Sequence, residues 1–166
     1  RRKSQLLHHR ADVELKDLRG NVPTRINKLR EGQYDAIMLA AAGVERLKLD
    51  LSEFHVCRLD PVEFIPAPAQ GVLGLQIRET DADLHDILQN LNIPDVARRI
   101  GVERRILNLF EGGCQMPLGA YCVADGGDLK VKACVADAWD ATVRITERTG
   151  SDIENLAQEV VAELRR

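Results

Sequence analysis

Residues 109–121 read LFEGGCQMPLGAY, and within them a helical pattern of apolar residues gives way to the alternating pattern of a strand. The adjacent Gly112 and Gly113 can adopt backbone angles that other residues avoid, and they leave space beside the sulfur of Cys114. Gly119 allows a close approach of another segment just before the strand. The stretch therefore predicts a thiol on a tight loop, with room for a bulky attached group.

On either side of this loop, the apolar spacing predicts a small α+β domain over residues 92–166. Strict alternation at residues 129–135 is typical of a strand with one buried face, and the sequence DGGD at residues 125–128 is typical of a hairpin turn. Ser151 and Glu154 have the spacing of a helix capping box. We predict a three-stranded antiparallel sheet with helices on one face, built from helices at 95–110 and 153–164 and strands at 120–124, 129–135 and 143–145.

Residues 1–64 alternate between strand-like and helical patterns, which favours an α/β layer with parallel strand pairing. Asn21 is a favourable N-cap, and Pro23 suits the first turn of the helix that follows. We interpret the segment as the remainder of an α/β domain like that of periplasmic binding proteins. The predicted strands are residues 13–18, 36–40 and 54–59, and the predicted helices are residues 5–9, 21–32 and 42–47.

Composition and charge narrow the classes of function. The 166-residue chain is 45% hydrophobic and 30% charged, as is ordinary for a globular protein. Residues 1–31 carry nine basic and four acidic side chains, an excess that indicates an anionic partner. No secretory signal or membrane-length apolar run is evident, so a cytoplasmic protein without a membrane partner is the expectation. Because the chain begins with Arg1 and not with methionine, we expect a fragment.

Within the basic segment, Arg19 and Arg25 flank a glycine turn and a helix start in the sequence LRGNVPTR, residues 18–25. Free backbone N–H groups at a helix start favour a bound anion, and guanidinium groups bind carboxylates through two parallel hydrogen bonds. The residues indicate a carboxylate or phosphate site, although a solvated basic face has the same composition. No metal site is expected, because the adjacent His8 and His9 point to different faces of a helix.

Three motifs resemble the porphobilinogen deaminase (hydroxymethylbilane synthase) family and occur in the family's order. They are the Arg-Gly-Asn run at residues 19–21, the Gln-Gly pair at residues 70–71 and the Glu-Gly-Gly-Cys loop at residues 111–114. The resemblance extends over nearly the whole chain. It implies a transferase of tetrapyrrole (heme) biosynthesis that condenses four porphobilinogen molecules into hydroxymethylbilane, with loss of ammonia at each condensation.

The resemblance also implies a cofactor site. Cys114 would hold a dipyrromethane through a thioether, and Gln70 would lie near this cofactor. Arginines would bind the acetate and propionate groups of the cofactor and of the growing chain, because each pyrrole carries two carboxylates. The remaining residues of the implied site are Arg1, Arg2, Arg19, Gly20 and Arg25.

In the family, residues 65–91 correspond to a segment that crosses back to the first domain, with a Pro-rich connection, a strand at 72–77 and a helix at 81–91. Ala69 stands where the family usually has glycine, and Gln76 stands where it usually has glutamate. The strand would pair with first-domain strands, so this chain alone is expected to self-associate through the open edge, whereas the full-length protein is expected to be a monomer.

The catalytic aspartate of the family belongs to the first domain, which would precede Arg1. No aspartate of this chain is expected to inherit its role, so we expect the chain alone to release no ammonia from porphobilinogen.

Two other functions remain open from the residues alone. One is a non-enzymatic anion-binding α/β module that uses Arg19 and Arg25, whose ligand binding would survive Cys114→Ala. The other is nucleic-acid binding through residues 1–31, which contain no aromatic side chain for base stacking. The resemblance favours porphobilinogen and the growing polypyrrole as partners, with no nucleic acid.

Overall fold

The computed structural model describes residues 1–111 and 116–166. Their contacts divide the chain into two units, one of residues 1–12 with 60–166 and one of residues 13–59. The elements, in chain order, are α1 (Arg2–His9), α2 (Val22–Arg30), α3 (Ala41–Leu47), α4 (Ala82–Gln89), α5 (Pro94–Leu109), β1 (Leu118–Asp125), β2 (Asp128–Val135), β3 (Arg144–Gly150) and α6 (Ile153–Leu164). The predicted helices are confirmed, with ends that differ by a few residues.

The three strands form one antiparallel sheet in the order β1-β2-β3, as predicted. Strands β1 and β2 pair along their whole length, ending with Asp125 opposite Asp128. The connecting Gly126 and Gly127 have φ angles of +56° and +101°, which suit glycine in a tight hairpin. The predicted hairpin turn is confirmed.

The main core lies between one face of this sheet and helices α5 and α6. Alternate strand residues point into it, and helical residues spaced three or four apart meet them. The arrangement of two helices on one face of the sheet agrees with the prediction for the C-terminal region. The most deeply buried members of the core are Val102, Ile106, Leu129, Val131, Val135, Leu156, Val160 and Leu164.

A second buried cluster lies on the opposite face of the sheet, around Ile65 and Cys134. A Cβ atom at Gly119 would lie 2.9 Å from both the Cys134 Sγ and the Ile65 carbonyl oxygen. Gly119 therefore permits the close approach that the sequence predicts. The side chain of Gln5 joins α1 to this cluster, since it donates to the Ile65 carbonyl at 2.8 Å and accepts from the Ile65 N–H at 2.7 Å.

The predicted strands at residues 13–18, 36–40, 54–59 and 72–77 are wrong for this structure, because none of them is paired. A strand requires a neighbouring chain that bonds its backbone N–H and C=O groups. Among the described residues these segments have no such partner in a sheet, and they remain irregular. The likeness to a periplasmic binding protein stays a prediction, as do the predicted domain boundaries at 64 and 91.

The start of α2 is as predicted. The Asn21 side chain accepts a hydrogen bond from the Thr24 N–H at 2.9 Å, and Pro23 lies in the first turn. The hydrogen bond to Asn21 satisfies the Thr24 N–H, while other N–H groups of the first turn have no partner within the helix.

The predicted capping box at Ser151 and Glu154 is wrong. The N-cap of α6 is Asp152, whose side chain accepts from the Asn155 N–H at 2.8 Å. With Asp152 as the N-cap, Glu154 is only the second residue of the helix, and it pairs with Arg105 of α5 at 2.6 Å.

In the two described stretches of the chain, no helix combines the length and the apolar character that crossing a bilayer would require.

Candidate functional site

In the unit of residues 13–59, Arg25 is held at the N-terminus of α2. Its Nε donates to the Gly20 carbonyl at 2.7 Å, and Gly20 has a φ of +119°. A Cβ at position 20 would lie 2.9 Å from the Thr24 Cγ2, so a side chain there is disfavoured by both conformation and space. Lys28 donates from its Nζ to the Arg19 carbonyl at 3.2 Å. The structure thus brings together Arg19, Gly20 and Arg25 of the predicted site.

The two ends of α2 differ in how their arginines are paired. At the C-terminal end, Arg30 donates from Nε to both Glu53 carboxylate oxygens, at 3.0 and 3.1 Å. Among residues 1–111 and 116–166, no carboxylate pairs with Arg19 or Arg25. These two guanidinium groups therefore remain available to an anion at the helix start, where the helix dipole also favours negative charge.

In the other unit, Arg1 and Gln70 lie together. The Gln70 Oε1 is 3.3 Å from the Arg1 Nη2 and 3.4 Å from its Nη1. Partial burial, helped by the neighbouring charge of Arg2, lowers the pKa of the Arg1 guanidinium. No carboxylate of the described chain pairs with Arg1, and a bound anion would offset the cost of burying this charge. Arg2 is exposed on α1.

Cys114 lies outside the described residues, so its role in cofactor attachment stays a prediction. The chain on both sides of residues 112–115 is anchored. Arg165 donates from Nη2 to the Leu109 carbonyl at 2.8 Å, and its guanidinium lies 5.4 Å from the centre of the Phe110 ring. Met116 packs against the main core.

The other cysteines of this unit are unsuited to nucleophilic chemistry. Cys122 and Cys134 are free and buried, as predicted. Burial raises the pKa of each thiol to about 11, so both are protonated at neutral pH.

Glu103, which is not among the predicted site residues, lies beneath the connection that carries Gln70. Its Oε2 accepts from the Ala69 N–H at 2.6 Å, and its Oε1 accepts from the Cys122 N–H at 2.8 Å. Burial raises the pKa of this carboxyl, opposed by the two N–H bonds and by Arg99. A signal existed in the sequence, because Glu103 falls within the apolar stripe of α5, three residues before Ile106.

Comparison with known proteins finds two matching family models and several similar relatives. Residues 1–86 match the family model described as porphobilinogen deaminase, dipyromethane cofactor binding domain, and residues 97–166 match the one described as porphobilinogen deaminase, C-terminal domain. The porphobilinogen deaminase of Nitratidesulfovibrio vulgaris (strain DP4) is 41% identical over 167 residues, which are 99% of this chain and 52% of that protein. The porphobilinogen deaminase of Maridesulfovibrio salexigens is 40% identical over 150 residues, 90% of this chain and 48% of that protein.

The chain spans about half the length of the curated relatives it matches. Both family models match in order along it, and together they cover most of its residues. The chain belongs to the porphobilinogen deaminase family.

Proposed function

We propose that this chain is the C-terminal part of a porphobilinogen deaminase, a transferase that condenses four porphobilinogen molecules into hydroxymethylbilane and releases ammonia at each condensation. The proposal is supported by the descriptions of the two matching family models and by the names of relatives that are about twice as long as this chain. The catalytic aspartate would come from the remainder of the full-length protein, so the chain alone would be inactive. The family resemblance further supports a cytoplasmic, monomeric full-length enzyme.

In this proposal, Cys114 carries a dipyrromethane through a thioether, which supplies the primer onto which pyrrole units are added. The described residues suit such a group. Arg1, Arg19 and Arg25 would bind its acetate and propionate carboxylates, because planar guanidinium groups form paired hydrogen bonds with carboxylates. Gln70 would orient Arg1. By holding the carboxylates, these residues would fix the position of each pyrrole for attack.

The observation that carries the proposal is the contrast between two sets of arginines. In the described part of the chain, Arg1, Arg19 and Arg25 have no carboxylate partner. Several other arginines are neutralised by aspartate or glutamate, namely Arg10, Arg30, Arg58, Arg105, Arg144 and Arg148. The arginines that the family resemblance assigns to carboxylate binding all lack a carboxylate partner among the described residues, a property they share with Arg46, Arg98, Arg99, Arg104 and Arg165.

Intact mass spectrometry tests the proposal directly. The full-length protein that contains this chain should carry an added mass equal to a dipyrromethane, and Cys114→Ser should lose it, because serine cannot form the thioether. Cys57→Ser, which removes an exposed thiol elsewhere in the chain, is the matched control and should keep the added mass. An added mass that persists in Cys114→Ser, or no added mass in any variant, would refute the attachment.

A non-enzymatic anion-binding module would behave differently. It would bind polycarboxylates equally well in Cys114→Ser, and the full-length protein would release no ammonia from porphobilinogen. Measuring ammonia release by the full-length protein therefore separates the two functions.

A further inference from the structure

Glu103 occupies an unusual environment for a carboxylate. In the described chain it is the one acidic side chain that is buried, with 5% of its surface exposed. Buried carboxylates are costly unless hydrogen bonds satisfy both oxygens. Both oxygens of Glu103 accept backbone N–H groups, one from Ala69 and one from Cys122. The side chain thus joins α5 to the outer edge of β1 and to the connection at residues 66–71.

Two hydrogen bonds link that connection to the rest of its unit. The Ala120 N–H donates to the Pro66 carbonyl at 3.0 Å, and the Ala69 N–H donates to Glu103 at 2.6 Å. Between the connection and the sheet lies a cavity of about 180 Å³, lined by Pro66, Ala67, Gln70, Val72, Ile100, Glu103 and Tyr121 among others. Because the cavity leaves less apolar contact there, the hydrogen bond to Glu103 contributes to fixing the backbone.

The backbone that Glu103 holds is strained. Ala69 has a φ of +57°, in the left-handed region that residues with a Cβ avoid. Such a conformation persists when surrounding contacts enforce it. The next residue is Gln70, whose side chain contacts Arg1. The direction of the Gln70 side chain therefore depends on the conformation that Glu103 maintains at Ala69.

We propose that Glu103 is a positioning residue for Gln70: by binding the Ala69 N–H, its carboxylate presents the Gln70 amide to Arg1 and so sets the position of one carboxylate-binding guanidinium. This inference rests on the proposed function, in which Arg1 holds a carboxylate of the cofactor or the growing chain. It assigns no direct contact with substrate to Glu103.

Glu103→Gln tests whether the carboxylate of Glu103 positions Gln70. A carboxylate offers an acceptor oxygen to each of the two N–H groups, whereas an amide offers one oxygen and one NH₂ group, which cannot accept. The variant should therefore keep one of the two bonds and lose the other, with little change in side-chain volume. Glu154→Gln is the matched control, since Glu154 binds Arg105 on the exposed side of α5 and does not contact residues 66–71.

The test uses the full-length protein with wild-type, Glu103→Gln, Gln70→Ala, double-variant and control forms. In Glu103→Gln, the KM for porphobilinogen should rise by roughly three- to tenfold, as expected for one lost hydrogen bond, while kcat changes by less than about twofold. Gln70→Ala should have a similar effect. The double variant should be no worse than Gln70→Ala alone, because the two residues act in series. Glu154→Gln should leave both constants unchanged.

The proposal would be overturned if the increases in KM from the two substitutions multiplied in the double variant, or if Glu103→Gln left KM unchanged. Amide hydrogen exchange in the wild-type protein gives a check that does not depend on any variant folding. The Ala69 N–H should be strongly protected, and a rapidly exchanging one would also overturn the proposal. If the wild type carries no dipyrromethane and releases no ammonia, the proposed function fails; if it does both and Glu103→Gln behaves as wild type, only the role of Glu103 fails.

Discussion

At Gly119 the backbone of β1 passes so near Ile65 and Cys134 that a side chain has no space. A Cβ there would lie within 3.0 Å of three atoms of these two residues. We expect Gly119→Ala to lower the free energy of unfolding by about 1–3 kcal/mol, the usual cost of overpacking a buried site. Urea denaturation of the chain would measure the change.

Gly74→Ala is the control for this substitution. No atom lies within 4 Å of a Cβ built at Gly74, so its effect should stay within about 0.5 kcal/mol. Equal effects of the two substitutions would show that Ile65 does not approach Gly119 as the structure describes.

Among the elements, α6 has a first turn that is stabilised by its N-cap, Asp152. The carboxylate of Asp152 accepts from the Asn155 N–H, and no other side chain caps this helix start in the described chain. We expect Asp152→Ala to reduce the free energy of unfolding by about 1 kcal/mol, because one N–H of the helix loses its acceptor. Thermal or urea unfolding followed by circular dichroism would measure it.

Asp152→Asn supplies the comparison, since asparagine caps a helix about as well as aspartate. A loss as large as that of Asp152→Ala would mean that the negative charge, and not the acceptor oxygen, stabilises the helix start.

On the scale of the whole molecule, residues 72–77 leave apolar side chains uncovered. Leu73 is 78% exposed and Leu75 is 62% exposed, in a segment without strand pairing. We expect the chain alone to self-associate through this segment, because contiguous exposed apolar surface favours burial against another copy. Sedimentation velocity over a range of concentrations would detect it, and Leu73→Lys with Leu75→Lys should restore a monomer.

Val56→Lys provides the control, because Val56 is 61% exposed and lies in the unit of residues 13–59. It should leave the association unchanged. A wild-type chain that sediments as a monomer at every concentration would contradict the expectation.

Local sequence patterns were sufficient to predict several elements of this fold. The hairpin at Gly126 and Gly127, the N-cap at Asn21 and the antiparallel sheet under two helices all follow from residues close together in the chain. Turn conformations, caps and side-chain periodicity depend on neighbours within a few positions, so they can be read before the fold is known. The motifs around residues 19–21, 70–71 and 111–114 likewise indicate the family from the sequence alone.

Contacts between residues far apart in the chain determine the features that the sequence did not predict. The apolar run at residues 36–40 has the composition of a strand, yet strand formation depends on a partner that the described chain does not supply. The position of Glu103 in the apolar stripe of α5 indicates a buried side chain, but its partner Ala69 lies 34 positions away and reaches it only when residues 66–71 fold back over α5. A hydrogen bond between residues so distant leaves no periodic trace in the sequence, because its partners meet only when the tertiary structure has formed.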